Sequence, residues 1–517
     1  MKIYYRIVNK NILSILSLIL CLGTSYPLQD SLQSKFPATD LKLDEIVASI
    51  GSINITVEEF YNSYEFGPAF VKRQKDSKKR YLNYMINEKL LALDGYSRNL
   101  DEKKDIALII KEFENDIATE EMFKEDILNN IKIVEEEIDT VITQKLLELD
   151  IRWLFAESEE EVKNYTDALS SGISFDSLYR IQFEDSIYLD DRSMKINRFQ
   201  LGKKNTELAK IVDTLPIGHY SEPAKVFDGW YIIIINNVWR NIVTTETEMI
   251  KLRQESISCL KKKKMDILSD KYVQDMFIKQ NPIIKRHSFN ILRSYLGMYS
   301  LPIEKYNEWN FAEILSAALD TLRLTKENIG ETILVGMNNG IIKLEEFINW
   351  YKNRSQYIKF NTKDLQSFSN SLESMIWSMV RDKLLSDLAY ERGYHKTDSF
   401  MKQAKWWKNK IVYSAVRKEV AESVILKENE VGINELDSMN AKSINEKKDV
   451  EITRQLLLKL NELKSKYDVT INEDVLEKVP VSDQENPKAI DFYTVKKGGL
   501  IPRPAFPTID QEWIEWE

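Results

Sequence analysis

VASIGSINITVEEF (residues 47–60) recurs without gaps as LVGMNNGIIKLEEF (334–347). Both stretches read as a short strand, a turn containing Gly or Asn, a second strand, and a helix start. The Glu-Glu pair at each helix start suits the positive N-terminal end of the helix dipole. Further along, MINEKLLALDGYSR (85–98) matches MVRDKLLSDLAYER (379–392), sharing Met, Lys, Leu-Leu, Tyr and Arg. NPIIKRHSFNIL (281–292) echoes YDVTINEDVLEKV (467–479), an apolar strand after a long helix. Chance explains any one of these; three in the same order argue for two related halves. Phe60 and Phe347, at matching places, are both expected in the core.

The texture between these markers is helical. A chain of 517 residues, 43% hydrophobic and 30% charged, can build roughly two to four domains. Its 16 glycines and 12 prolines are few for the length, which favours helix and argues against disorder. Ile106, Ile109, Phe113, Ile117 and Met122 fall at near-helical spacing. A second helix reads over about 246–279, with Met249, Leu252, Leu260, Met265, Leu268, Tyr272 and Met276 on one side. A third helical region covers 363–428. Such stripes are core, building arms or bundles and not active sites.

The N-terminal stretch differs in kind. Lys2, Arg6 and Lys10 precede an apolar run from Ile12 to Leu22 and then small residues, the pattern of a signal peptide over 1–25. The run is short of the ~20 residues that span a bilayer. Gly23 and Ser25 offer a cleavage site. The alternatives are a retained anchor and lipid attachment at Cys21, where LILC distantly follows a lipobox with Leu20 in place of a small residue. Cleavage removes three cations and no acid, moving the formal net charge from −9 to −12. Such a chain has no basic footprint for nucleic acid, and the KKKK run at 261–264 reads as the solvated face of a helix. Only Cys259 would remain, so no intrachain disulfide is expected.

Taken together, ITVEEFYNSYEF, YLNYMINEKLLALDGYSRNL and EEEIDTVITQKLLELDIRWLF resemble the exported SurA/PrsA-type chaperones. In that family a helix-rich lobe cradles unfolded clients and carries parvulin-type (PpiC-like) peptidyl-prolyl isomerase domains. The resemblance covers about 44–295 directly and 331–480 only through the repeat. IRWLFAESEEEVKNYTDALSSGISFDSL (151–178) is similar to the parvulin entry, and LPIGHYSEPAKVFDGWYIIIINNV (215–238) to its closing strands. The resemblance puts Trp153 and Tyr231 where the family has its two histidines. The middle has drifted: SMKINRF (193–199) keeps only Phe199 of a Gly-rich run, and Leu208 falls near a pocket-lining aromatic.

Prolyl isomerisation must lower a rotational barrier of ~18–20 kcal/mol for an ordinary amide without making or breaking a bond. The family does so with an apolar proline pocket and a network of paired histidines. Trp supplies only an N–H donor, and Tyr a hydroxyl neutral near pH 7. Neither replaces an imidazole that both donates and accepts. Asp185, Ser186, Asp190 and Asp191 are candidates for a third polar member. His219 reads as a surface turn residue, and His287 and His395 lie elsewhere. No metal cluster, nucleotide loop or nucleophile triad is present in the sequence, so no cofactor is expected. Trp153, Phe199, Leu208 and Tyr231 are therefore read as candidate peptide-binding residues, with simple core packing as the alternative.

These readings predict an α+β protein with helix-rich, SurA-like lobes in two related halves and one small inserted α/β domain. The expected layout is a first lobe at 44–150, a degenerate parvulin-like domain at 151–243, and 244–295 completing the first lobe. A connector at 296–330 with its own helix, FAEILSAALDTL, leads to a second lobe at 331–480. Residues 481–517 read as a mobile tail, with docking of Trp513 and Trp516 the alternative. The expected function is an exported periplasmic or envelope chaperone for unfolded clients, outer-membrane proteins among them. The alternatives are an active isomerase and a scaffold of an envelope complex. Membrane contact would come only through a lipid at Cys21.

Overall fold

The computed structural model describes residues 40–182, 192–226, 228–322, 328–355, 358–424, 438–481 and 506–515. The signal-like segment, Cys21, Asp185, Ser186, Asp190, Asp191 and Trp516 lie outside them. The described chain is helix-rich with small antiparallel sheets, and it divides into two compact units. Unit 1 draws on residues 1–126 and 271–517, and unit 2 on 127–270.

Unit 1 opens with strands β1 (Ile46–Ile50) and β2 (Ile53–Thr56), then helices α1 (Val57–Phe66), α2 (Ser77–Ser97) and α3 (Lys104–Asp126). The Thr56 hydroxyl accepts the Glu59 N–H (3.2 Å), capping α1 where Glu58 and Glu59 also favour its dipole. Unit 2 runs through α4 (Glu135–Leu146), β3 (Leu147–Ala156), α5 (Glu159–Ser170), α6 (Phe175–Ile181), β4 (Ser193–Asn197) and α7 (Arg198–Lys204). It continues with α8 (Thr206–Thr214), β5 (Ala224–Val226), β6 (Gly229–Arg240) and the first part of α9 (Glu246–Gln280). Unit 1 resumes with β7 (Ile283–Ile284), α10 (Arg286–Ser300) and α11 (Phe311–Leu322). The second hairpin, β8 (Ile333–Met337) and β9 (Gly340–Lys343), leads into α12 (Leu344–Lys352), α13 (Leu365–Glu391) and α14 (Asp398–Ser423). Helix α15 (Ser438–Lys466), β10 (Val469–Ile471) and α16 (Glu473–Lys478) follow.

The two hairpins agree residue by residue. Ile46↔Thr56, Ala48↔Ile55 and Ile50↔Ile53 in the first correspond to Ile333↔Lys343, Val335↔Ile342 and Met337↔Gly340 in the second, with the same irregularity after the first pair. Gly51 and Gly340 hold the turns at φ +53° and +137°, a region closed to most side chains. Phe60 and Phe347 are fully buried. The helical parts also correspond: Asn99 (φ +53°) and Gly393 (φ +82°) turn the chain between α2 and α3 and between α13 and α14.

The closing elements are exchanged between the halves. The sequence repeat predicts that 244–295 completes the 44–150 lobe, but β7 pairs with β8 (Ile284↔Val335), and β10 pairs with β1 (Ala48↔Ile471). One backbone bond recurs in both places: Asn472 N–H donates to Val47 C=O (2.9 Å), and Lys285 N–H to Leu334 C=O (2.8 Å). Helices follow suit, α2 packing on α14 and α13 on α3. At the first crossing Gly95 is required, because a Cβ there would collide with Val412 Cγ1. Ala118 and Ala389 share a buried cluster at the second. The physical reason is that each closing strand is a short apolar segment after a long helix, equally suited to either hairpin edge.

Three further expectations need revision. The 296–330 segment is no mere connector, since Leu296, Leu315, Ala318 and Ile329 are buried in the second half's core. On α9, Met265 and Met276 are buried but Met249 is exposed. The mobile-tail reading fails for 506–515, where Ile509 and Trp513 are buried in the first half's core. No helix among the described residues is long and apolar enough to cross a membrane.

Candidate functional site

Unit 2 is built on a four-stranded antiparallel sheet of order β4-β3-β6-β5. Side chains on a strand alternate between its faces, and β3 uses this cleanly. Leu154 and Ala156 join Ile232 under α5 and α6, around Val162, Leu169, Phe175 and Leu178. Leu149 and Ile151 join Ile233 and Ile235 on the other face, under Leu201, Ala209 and Val212 of α7 and α8.

Trp153 and Tyr231 lie on this second face, half-buried at the edge of its core, as does Leu208. Trp153 pairs with Ile233 and Phe155 with Tyr231, so Trp153 and Tyr231 are diagonal neighbours on adjacent strands. Phe155 and Tyr231 meet edge to face at 5.2 Å. Phe199 is placed elsewhere: its ring lies beneath the ammonium groups of Lys145 (5.5 Å) and Lys203 (4.8 Å). Its position at the start of α7 turns it towards α4, which carries Lys145, so the structure brings together three of the four candidates.

Sequence reasoning missed Phe155 and Arg192. Phe155 was legible, being two residues beyond Trp153 on a strand. Arg192 was not, because it follows the drifted stretch 183–191. Its guanidinium lies 5.4 Å from the Phe155 ring and donates to Gln182 Oε1, and its carbonyl accepts the Trp153 N–H (3.0 Å). On the opposite face Arg152 bonds Asn236 Oδ1 (2.9 Å) and Asp176 (2.8 Å). His219 is exposed in its turn, its Nδ1 3.3 Å from the Ile217 carbonyl. Among the described residues no group of three or more His, Cys, Asp or Glu could hold a metal ion.

The Tyr231 hydroxyl donates to Asp228 Oδ2 (2.8 Å). Burial first, and then the Asp228 carboxylate, push its pKa up to about 12. At neutral pH the site offers the Trp153 indole N–H and apolar ring surface, while the Tyr231 proton is engaged by Asp228 and the Arg192 guanidinium by Gln182. It can hold an apolar segment and donate to its carbonyls, but Trp153 and Tyr231 cannot pass a proton back and forth. A raised phenol pKa means that the folded unit favours the protonated form. Tyr231's contribution is therefore complete below pH 10 and lost between pH 10 and about 12. The expected difference titration at 295 nm, wild type minus Tyr231→Phe, has its step near pH 12; a step at 10 would contradict the site geometry.

No family model matches the chain, and no curated protein matches it. Among solved structures it shows a distant likeness to the peptidylprolyl isomerase PrsA of Bacillus anthracis (13% identity, TM-score 0.20), which covers 47% of this chain and 98% of that one. PrsA of Bacillus cereus gives 17% identity and a TM-score of 0.24, over 54% of this chain and 99% of that one. The foldase protein PrsA of Streptococcus pneumoniae gives 12% and 0.20, over 44% and 94%.

Proposed function

We propose that the chain is an exported envelope chaperone for unfolded clients, with unit 2 a parvulin-type module that holds peptide and no longer isomerises proline. The observation that carries the reading is the row Trp153–Phe155–Tyr231. Aromatic rings stand on adjacent strands at the two positions where the resemblance implies imidazoles. Larger apolar rings at these positions suit holding an extended chain better than twisting one amide. Burying such side chains supplies roughly 1–3 kcal/mol each, enough for weak, promiscuous contacts. The proposed layout keeps a signal peptide at 1–25 and the parvulin-like module at about 151–243. Clients would be nascent exported proteins, outer-membrane proteins among them, and lipid at Cys21 would be the one route to a membrane.

Two assays test it. Suppression of aggregation of an unfolded outer-membrane protein is expected to fall several-fold in Trp153→Ala/Tyr231→Ala with unit 2 still folded. Unchanged suppression would remove these two rings from client binding. In a protease-coupled assay on a proline tetrapeptide the wild type is expected to match the uncatalysed rate. Turnover well above it that disappears in Tyr231→Ala would establish the enzyme reading instead.

A further inference from the structure

In the first half, residues 506–515 lie in a groove formed by α1, α2 and α14. Phe506 packs on Phe66 (5.1 Å) and Trp406 (6.1 Å), and Trp513 stacks on Tyr413 (6.1 Å). Asp510 accepts from Lys410 (2.8 Å), Tyr413 (2.7 Å) and Arg417 (2.7 Å), and Arg417 also holds Glu512 (2.7 Å). Glu88 Oε1 accepts the Asp510 amide (2.9 Å) and the Trp513 indole N–H (3.1 Å). The groove thus reads two aromatic anchors and an acidic centre.

The second half shows what permanent filling looks like. Matching Met85 to Met379 puts Glu88 opposite Asp382, and Asp382 also accepts an indole N–H, from Trp350 (3.1 Å). That tryptophan lies on α12, within the half's own repeat, followed by Arg354 in a longer stretch (348–378, against 61–84 in the first half). The first half lacks those residues, and its indole arrives from 506–515 instead. A cavity of about 20 Å³ remains at the seam, lined by Glu59, Ser63, Glu88 and Lys89 below and Pro507 and Thr508 above.

We propose that this groove is a binding site for extended peptides of the pattern aromatic-Pro-x-x-acid-x-x-Trp, and that residues 506–515 are its displaceable resident. Identifying the competing ligand as an unfolded exported chain rests on the chaperone reading; the groove itself does not. The resident belongs to the same chain as its groove, and intramolecular binding of this kind gives an effective concentration on the order of 1 mM. A free peptide that binds the empty groove at about 10 µM would then bind the occupied one about 100-fold more weakly.

The probe is a fluorescein-labelled peptide of residues 503–515, RPAFPTIDQEWIE, read by anisotropy against the full chain. Asp510→Ala/Trp513→Ala is expected to bind it about 100-fold more tightly than wild type, and adding Arg417→Ala should reverse most of that gain. A natively folded double variant that ignores the probe overturns the proposal. Should that variant unfold, hydrogen exchange in the wild type decides. Ile509 and Asp510 amides exchanging well ahead of β1 support a displaceable resident, and exchange only on global unfolding overturns it. A wild-type dimer with swapped 506–515 segments would make a second copy the occupant and also overturn it. Failure of probe binding leaves aggregation suppression by unit 2 untouched, so the two readings fail separately.

Discussion

Arg354→Ala is expected to cost unit 1 about 3–5 kcal/mol, the usual price of breaking a buried ion pair from one side. The Arg354 side chain is 2% exposed, bonds Glu112 Oε2 (2.8 Å) and the Trp350 carbonyl (3.0 Å), and lies 4.7 Å over the Trp350 ring. Glu112 belongs to α3 of the first half and Arg354 to the second, so one guanidinium ties the halves. Burial already raises the Asp382 carboxyl above its ordinary range, against the pull of Arg381 and Arg354. Removing Arg354 leaves the Glu112 and Asp382 carboxylates with less compensation. Urea unfolding should show the loss as an earlier transition of unit 1. Arg354→Met with Glu112→Leu should recover part of it, since both charges then go together. A single-variant loss below about 1 kcal/mol would mean the pair is effectively solvated.

Phe60→Ala and Phe347→Ala are expected to cost about 3–5 kcal/mol each. Phe60 lies among Tyr64 (5.7 Å) and Tyr81 (6.2 Å), and Phe347 among Trp350 (5.8 Å) and Tyr351 (6.3 Å). In halves that fold separately, each variant would lower one transition and spare the other. Here β10 closes the first hairpin and β7 the second, so both variants should move one shared transition of unit 1. Calorimetry showing two separated transitions in either variant would contradict the cooperative reading.

The repeat was legible because its signals are local: the hairpin turns at Gly51 and Gly340, the Glu-Glu helix starts, and the strand after each long helix. The exchange was not, because Ile283–Ile284 and Val469–Ile471 are interchangeable by pattern and only tertiary packing assigns each its edge. Trp153, Leu208 and Tyr231 could be placed on one face from strand alternation and helix spacing. Phe199 could not, because the stretch before it has lost the glycines that would fix its register. The docking of Trp513 reads from the sequence only as an alternative, since Asp510 finds Lys410, Tyr413 and Arg417 across a separation that no sequence period reveals.

The exchanged strands also set an order of events during synthesis. β7 and β8 emerge close together and can pair early, whereas β1 must wait until residue 469 for its neighbour. Loop closure over so long a span is slow, and the unpaired edge of β1 stays open to other strands meanwhile. A ribosome pausing before α15 therefore leaves the first hairpin exposed however well the second half has formed. The protein spends most of its own birth as the kind of chain a holding factor protects.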